Sequence, residues 1–103
     1  MEKSESLASV VKDKQLYFMK LYVVAGEQNS QIARDNLKRI CDEYLRDQCR
    51  VEEVDVLADF ASALEARVFV TPTLILVEPE PKAVVVGNLG NKERVISALR
   101  LRL

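Results

Sequence analysis

Two apolar runs fenced by prolines and glycines, in the stretch VTPTLILVEPEPKAVVVGNLG from Val70 to Gly90, constrain this chain more than any other feature. The stretch holds all three prolines and two of the three glycines. Thr71, Pro72 and Thr73 precede the run Leu74 to Val77, Pro79 and Pro81 follow it, and Ala83 to Val86 answers it. Proline offers no N–H to a strand ladder and so gathers at strand ends and turns, which makes the pattern a β-hairpin. The bond before Pro72 is where a cis peptide is most plausible, although base rates alone favour trans.

The rest of the chain supplies elements for that hairpin to pack on. LYFMKLYVV, from Leu16, is aromatic and β-branched with one charge, Lys20, which predicts a central strand buried on both faces. Gly26 breaks it, and Asn29 or Ser30 is the expected cap of a helix running to about Asp47. Ala33, Leu37, Ile40, Cys41 and Tyr44 recur at spacings of three and four to form its apolar stripe, with Cys41 as plain core. The charged residues between them form a solvated face, with Asp35–Arg39 and Asp42–Arg46 as i,i+4 pairs. VEEVDVL then predicts a strand parallel to the first, because it is reached through a helix. Asp59 is suited to cap a short helix over FASALEARV, and after the hairpin Asn91 caps a last helix striped by Val95, Ile96, Leu99 and Leu103. The order is β-α-β-α-β-β-α in a single α/β domain over residues 15–103, preceded by a flexible arm over residues 1–14. With a proline before the third strand, this is the thioredoxin-like arrangement.

Composition removes whole classes of function. A net charge of −1 gives no field to draw nucleic acid or an acidic lipid surface. No segment is apolar for long enough to span a membrane, and the start lacks the basic-then-apolar order of a signal peptide, so a cytoplasmic protein is expected. The chain has no histidine, which excludes Ser-His-Asp and Cys-His catalysis and leaves no catalytic residue to nominate. Cys41 and Cys49 are eight apart, which fits neither a C-x-x-C redox pair nor a zinc ligand set, so neither a metal nor another cofactor is expected. Where thioredoxins keep their thiols, between the first strand and first helix, this chain reads Gly26, Glu27, Gln28, Asn29, Ser30. Glu52 and Glu53 are expected to be solvent-exposed on an edge strand, and an exposed apolar edge near Val84 to Val86 would favour self-association.

KLYVVAGEQNS (Lys20 to Ser30), EVDVL (Glu53 to Leu57) and TPTLILVEPEPKAVVVGNLGNKERV (Thr71 to Val95) resemble the KaiB family of circadian clock proteins over about residues 15–101. The resemblance implies a binding protein with a thioredoxin-like fold and no enzymatic activity. Its implied partner is the ATPase ring of KaiC, where KaiB-like proteins help recruit KaiA and compete with the histidine kinase SasA. It also implies an alternative fold in which the second half rearranges and the protein assembles into tetramers. Pro72, Pro79, Pro81, Gly87, Asn88 and Gly90 are then the hinge positions that absorb the change. Lys20 and Arg67 stand where the family is basic and are the implied partner-binding residues.

Several residues depart from the family pattern. Glu52 and Ile32 replace an expected lysine and arginine, and Asn88 replaces an aspartate. The loop that tends to read N-P-Q-L-A-E-E-D in the family is here DFASALEA, which loses a proline and gains helix formers, so the thioredoxin-like form is the expected resting state. The expected function is an adaptor that binds a KaiC-type ATPase in circadian or stress-related signalling and forms a dimer or tetramer. Two alternatives stand beside it: a free-standing SasA-like sensor domain that binds a kinase, and a thioredoxin-fold oxidoreductase, against which the missing C-x-x-C counts.

Overall fold

A computed structural model describes residues 16–101, so the predicted arm over residues 1–14 and the last stripe residue, Leu103, lie outside the described residues. The elements are β1 (Tyr17–Val23), α1 (Gln28–Ile40), a π-helical turn (Cys41–Leu45), a 3-10 turn (Arg46–Gln48), β2 (Cys49–Asp55), α2 (Phe60–Glu65), β3 (Thr73–Glu78), β4 (Ala83–Val86) and α3 (Lys92–Leu99). They form one four-stranded sheet in the order β2-β1-β3-β4. β2 runs parallel to β1, while β3 and β4 run antiparallel to their neighbours. The mixed α/β, thioredoxin-like order anticipated from the sequence is present.

β1 is central because YFMKLYV can bury both of its faces. Successive side chains of a strand point to opposite sides. Met19, Leu21 and Val23 therefore join Leu74, Leu76 and Val85 under α1 and α3, packing on Ala33, Leu37, Ile40, Val95 and Leu99. Tyr22 points the other way, with Ile75, onto Ala63 of α2 and Val68. Met19 and Leu76 have no exposed surface. Burying each contributes about 2–3 kcal/mol before the entropy of ordering it.

Helix ends show which polar residues act. Asp59 Oδ1 accepts from the Ser62 N–H at 3.2 Å and Oδ2 accepts from the Ser62 hydroxyl at 2.7 Å, so Asp59 caps α2 as expected. These hydrogen bonds hold its carboxyl below the usual carboxylate range. Asn91 Oδ1 accepts from the Arg94 N–H at 3.1 Å and caps α3. α2 is shorter than the run FASALEARV suggests, because Arg67 takes a left-handed conformation (φ 60°) and ends it.

The i,i+4 pairs predicted on α1 are replaced by others. Asp42 binds Lys38 at 3.1 Å rather than Arg46, because Arg46 (φ 45°) has already left the helix. Asp35 accepts from Gln31 at 3.0 Å, and Arg39 donates to Asn36 at 3.2 Å. Each of these exposed contacts is worth a few tenths of a kcal/mol, so the exchange leaves the stability of α1 nearly unchanged. The bonds preceding Pro72, Pro79 and Pro81 are all cis, against the base-rate expectation for Pro72.

The two-sided burial of the sheet makes a direct stability test. Leu76→Ala is expected to lower the unfolding free energy by about 3 kcal/mol in denaturant melts, whereas Val84→Ala, at a side chain 58% exposed, changes it by less than about 0.5 kcal/mol. Equal losses at the two sites would contradict the assigned facing of β3 and β4.

Candidate functional site

The turn from β1 to α1 has a built hydrogen-bond network where a thioredoxin keeps its thiols. Gly26 (φ 84°) turns the chain, and Glu27, not Asn29 or Ser30, is the residue that precedes the first helical turn. Ser30 is 1% exposed and faces inward, so its Oγ accepts from the Val24 N–H at 3.1 Å and donates to Glu27 Oε1 at 2.6 Å. Thr71 Oγ1 donates to the same carboxylate oxygen at 3.0 Å. A carboxylate shared by two hydroxyls thus ties the start of α1 to the strand-entry loop that contains Pro72.

The face of the sheet opposite α1 and α3 is the more open one. The six-residue α2 covers only part of it, leaving a cleft of about 440 Å³ lined by Lys20, Tyr22, Arg67, Ile75, Lys82 and Val84, among others. Lys20 and Arg67, the two basic residues singled out from the sequence, are brought together there, and Lys82 joins them. β1 places Lys20, whose ammonium lies 3.8 Å from Glu52 across the parallel pair. Arg67 is placed by the C-terminal motif of α2, where its own N–H donates to the Leu64 carbonyl and the Val68 N–H reaches back to the Ala63 carbonyl at 2.9 Å. That motif turns Arg67 outward into solvent while Val68 goes into the core beside Ala63.

Large apolar side chains of α2 and of the loops on either side of it are exposed. Phe69 is 77% exposed and Leu57 76%, and Phe60, Leu64 and Val70 are about half exposed or more. A second hollow of about 300 Å³ adjoins the cleft and shares Arg67, Ile75 and Val84 with it, adding Phe69, Val70 and Val86. β4 is an edge strand, and its Val84 and Val86 are exposed, as the sequence suggested. At the far end of β1, Arg50 lies over the Phe18 ring at 5.1 Å. The exposed aromatics escaped the sequence reading, because no period marks which residues of a short helix and the loop after it lack cover.

The hinge positions fall into two groups. Pro79 and Pro81 sit in the β3–β4 turn, and their carbonyls accept from the Arg100 guanidinium at 3.3 and 3.1 Å. Pro72 and Gly87 meet across the other end, where the Gly87 N–H donates to the Pro72 carbonyl at 2.8 Å and Gly87 needs φ 113°. Asn88 Oδ1 accepts from the Gly90 N–H at 2.9 Å, and its carbonyl accepts from Asn36 of α1 at 2.9 Å. A Cβ on Gly90 would lie 2.9 Å from that Asn88 oxygen, so only glycine fits without displacing the contact.

On the helix-covered face, two features went beyond the sequence reading. Glu53 is exposed as expected and also grips Arg34 of α1 with two hydrogen bonds, Nε to Oε2 at 2.7 Å and the second guanidinium nitrogen to Oε1 at 3.1 Å. Cys41, buried as expected, has its sulfur 2.6 Å from that of Cys49 at the start of β2. Spacing along the chain hid that contact. Among the described residues, no three His, Cys, Asp or Glu side chains converge to hold a metal, and no helix is long and apolar enough to cross a membrane.

The sequence model of the KaiB domain matches residues 20–101. The chain is 41% identical over 81 residues to the circadian clock protein KaiB3 of Synechocystis sp., covering 79% of each. It is 34% identical over 92 residues to the circadian clock oscillator protein KaiB of Nostoc punctiforme, covering 89% of this chain and 88% of that one. Among solved structures, the N-terminal domain of Synechococcus elongatus SasA superposes with a TM-score of 0.70 at 20% identity, covering 84% of this chain and 85% of that domain. Oxidised mitochondrial thioredoxin 3 of Saccharomyces cerevisiae gives 0.68 at 14% identity, covering 94% of this chain and 88% of that one. Both structural likenesses confirm the thioredoxin-like fold.

Arg67 occupies a backbone conformation that a side chain with a Cβ adopts at a cost. Arg67→Gly is accordingly expected to keep the fold and to raise the unfolding free energy by up to about 1 kcal/mol. A loss of that size instead would show that the side chain holds the fold together rather than facing outward.

Proposed function

The chain belongs to the KaiB family, and from that premise we propose that it is a non-catalytic cytoplasmic adaptor that docks on a KaiC-type ATPase ring and modulates circadian or stress-related signalling. The observation that carries the reading is the open sheet face, where Lys20 and Arg67 line one cleft and Phe69, Val70 and Val84 stand exposed beside it. Exposed aromatics give a docking surface its anchors, and flanking cations give it orientation and on-rate. The complementary surface is therefore acidic where it meets the cleft and apolar beside it. At the β1–α1 turn a glutamate, a serine and a threonine satisfy one another, which supports binding rather than thiol chemistry at that position.

The test is co-elution, with ATP present, of the full chain with the KaiC-type ATPase encoded in the same genome. A complex is expected, and Lys20→Glu or Arg67→Glu should weaken it by about tenfold or more while leaving the melting temperature close to that of the parent. Absence of a complex between two folded proteins would overturn the adaptor reading. Binding that is indifferent to both charge reversals would place the contact elsewhere on the chain.

Self-association belongs to the same proposal. The β4 edge with Val84 and Val86 is the surface through which copies of the chain pair into dimers or tetramers, and residues 71–90 are the segment that repacks between two forms. Gly87 and Gly90 give that segment backbone freedom, and the two hydrogen bonds of Asn88 are the contacts it must break. Sedimentation at tens of micromolar should give a mass above the monomer, and amide NMR should show a second, slowly exchanging set of signals for residues 71–90. A monomer with a single set of signals would refute both statements.

A further inference from the structure

We propose that Cys41 and Cys49 are a reversible oxidation site, at which a low-molecular-weight disulfide of the glutathione type converts the two thiols into an intramolecular disulfide. The inference is independent of the adaptor reading, because it concerns the opposite face of the sheet. Its basis is geometric. The helix carrying Cys41 widens into the π-helical turn Cys41–Leu45, the chain reverses through Arg46 (φ 45°), and β2 begins with Cys49 on the side of the sheet that faces α1. The reversal brings the sulfurs to 2.6 Å, inside the contact distance of two unbonded sulfurs, so that a small side-chain rotation suffices for a bond.

The two thiols differ in what a reagent meets. Cys41 is 8% exposed and packs with the core, whereas Cys49 is partly exposed. Both line an open cavity of about 350 Å³ between the end of α1 and β2, whose lining also holds Arg34, Lys38 and Arg46 together with Asp42 and Glu53. In that lining Glu53 is paired with Arg34 and Asp42 with Lys38, so the cavity offers both signs of charge to a reagent of the glutathione type, which itself carries ammonium and carboxylate groups. The contact between the two sulfurs lowers the Cys49 thiol from its ordinary range, and the same contact together with burial pushes Cys41 up. Lys38 favours charge at Cys41, while Asp42 opposes charge on either sulfur. As the more exposed of the two, Cys49 is the nucleophile and Cys41 the resolving thiol.

The steps balance. The Cys49 thiolate attacks one sulfur of the small disulfide, forming a mixed disulfide and expelling one small thiolate, which takes up a proton. Cys41, losing its proton to solvent, attacks the Cys49 sulfur, and the mixed S–S bond breaks to release the second small thiol. The protein loses two electrons and two protons, and one small disulfide becomes two thiols. The bond ties the last turns of the first helical stretch to the first residue of β2.

Oxidised glutathione is the probe, applied to the full native chain and followed by intact mass, non-reducing gel and peptide mapping. The expected product is a monomer lighter by two hydrogens, with a peptide linking Cys41 to Cys49, that dithiothreitol reverses. Cys41→Ser should accumulate one glutathione adduct at Cys49, and Cys49→Ser should be modified about tenfold more slowly or not at all. Cys41→Ala serves in place of Cys41→Ser if the hydroxyl disturbs the core, and the mass of the unsubstituted chain decides the main point without any variant. Two persistent glutathione adducts, intermolecular dimers, or two thiols that remain alkylatable would each overturn the proposal. Modification of Cys41 in Cys49→Ser as fast as that of Cys49 in Cys41→Ser would overturn the assignment of roles.

Discussion

The alternation of side chains along β1 is the constraint from which the rest of the molecule follows. Seven residues, YFMKLYV, feed one face with Met19, Leu21 and Val23 and the other with Phe18, Lys20 and Tyr22. A strand flanked on both edges and covered on both faces cannot slip by one residue without sending Met19 and Leu21 to the wrong core. The two faces are nonetheless covered unequally. α1 and α3 close the first, while α2, six residues long and ended by Arg67, leaves much of the second open. The cleft with its cations and stranded aromatics is therefore a consequence of helix length, and the length is set where the chain turns left-handed at residue 67.

How much of this could be read along the chain depended on whether the cause was local. The hairpin, the central strand, the apolar stripe of α1 and the caps Asp59 and Asn91 all rest on residues within a few positions of one another, and all are where periodicity and turn chemistry put them. Ser30 was misread for a physical reason. A serine at a helix start normally caps, but here Glu27 precedes it and Thr71 reaches in from 44 residues away, so its hydroxyl turns inward to bridge strand and turn. The Asp42–Arg46 pair failed because the helix widens and the chain leaves it at that point, which no propensity signals. Lys20 and Arg67 were named from family resemblance, and their convergence on one cleft is a tertiary fact that neither local sequence contained.

The same fold distributes charge and sulfur differently at the two ends of α1. The N-terminal end of a helix, with its unpaired N–H groups, favours a negative group, and thioredoxin-like proteins use that to favour a thiolate. Here Glu27 occupies the end, already bonded to two hydroxyls. The cysteines stand instead towards the other end, where carbonyls point outward and a thiolate is disfavoured. Cys41, within the helical stretch and buried, is pushed up from the ordinary thiol range by its contact with Cys49 and by burial, while that contact lowers Cys49, on the strand beyond the reversal.

Two consequences follow for how the faces relate. Arg34 and Glu53 clamp α1 to β2 on the cysteine side, but both side chains are more than a third exposed or close to it, so solvent screening leaves the pair about 0.5–1 kcal/mol at most. β2 is an edge strand whose outer residues are largely exposed, so the clamp and the apolar contacts at its ends are what fix it. A covalent bond at Cys49 would add to that fixation at the end where the strand begins. Lys20 pairs with Glu52 across the same β1–β2 ladder, so restraint of β2 reaches the open face through backbone register rather than through any chain of side chains. The strand that the cysteines would tether is in this way the same strand whose Glu52 pairs with one of the three cations of the cleft.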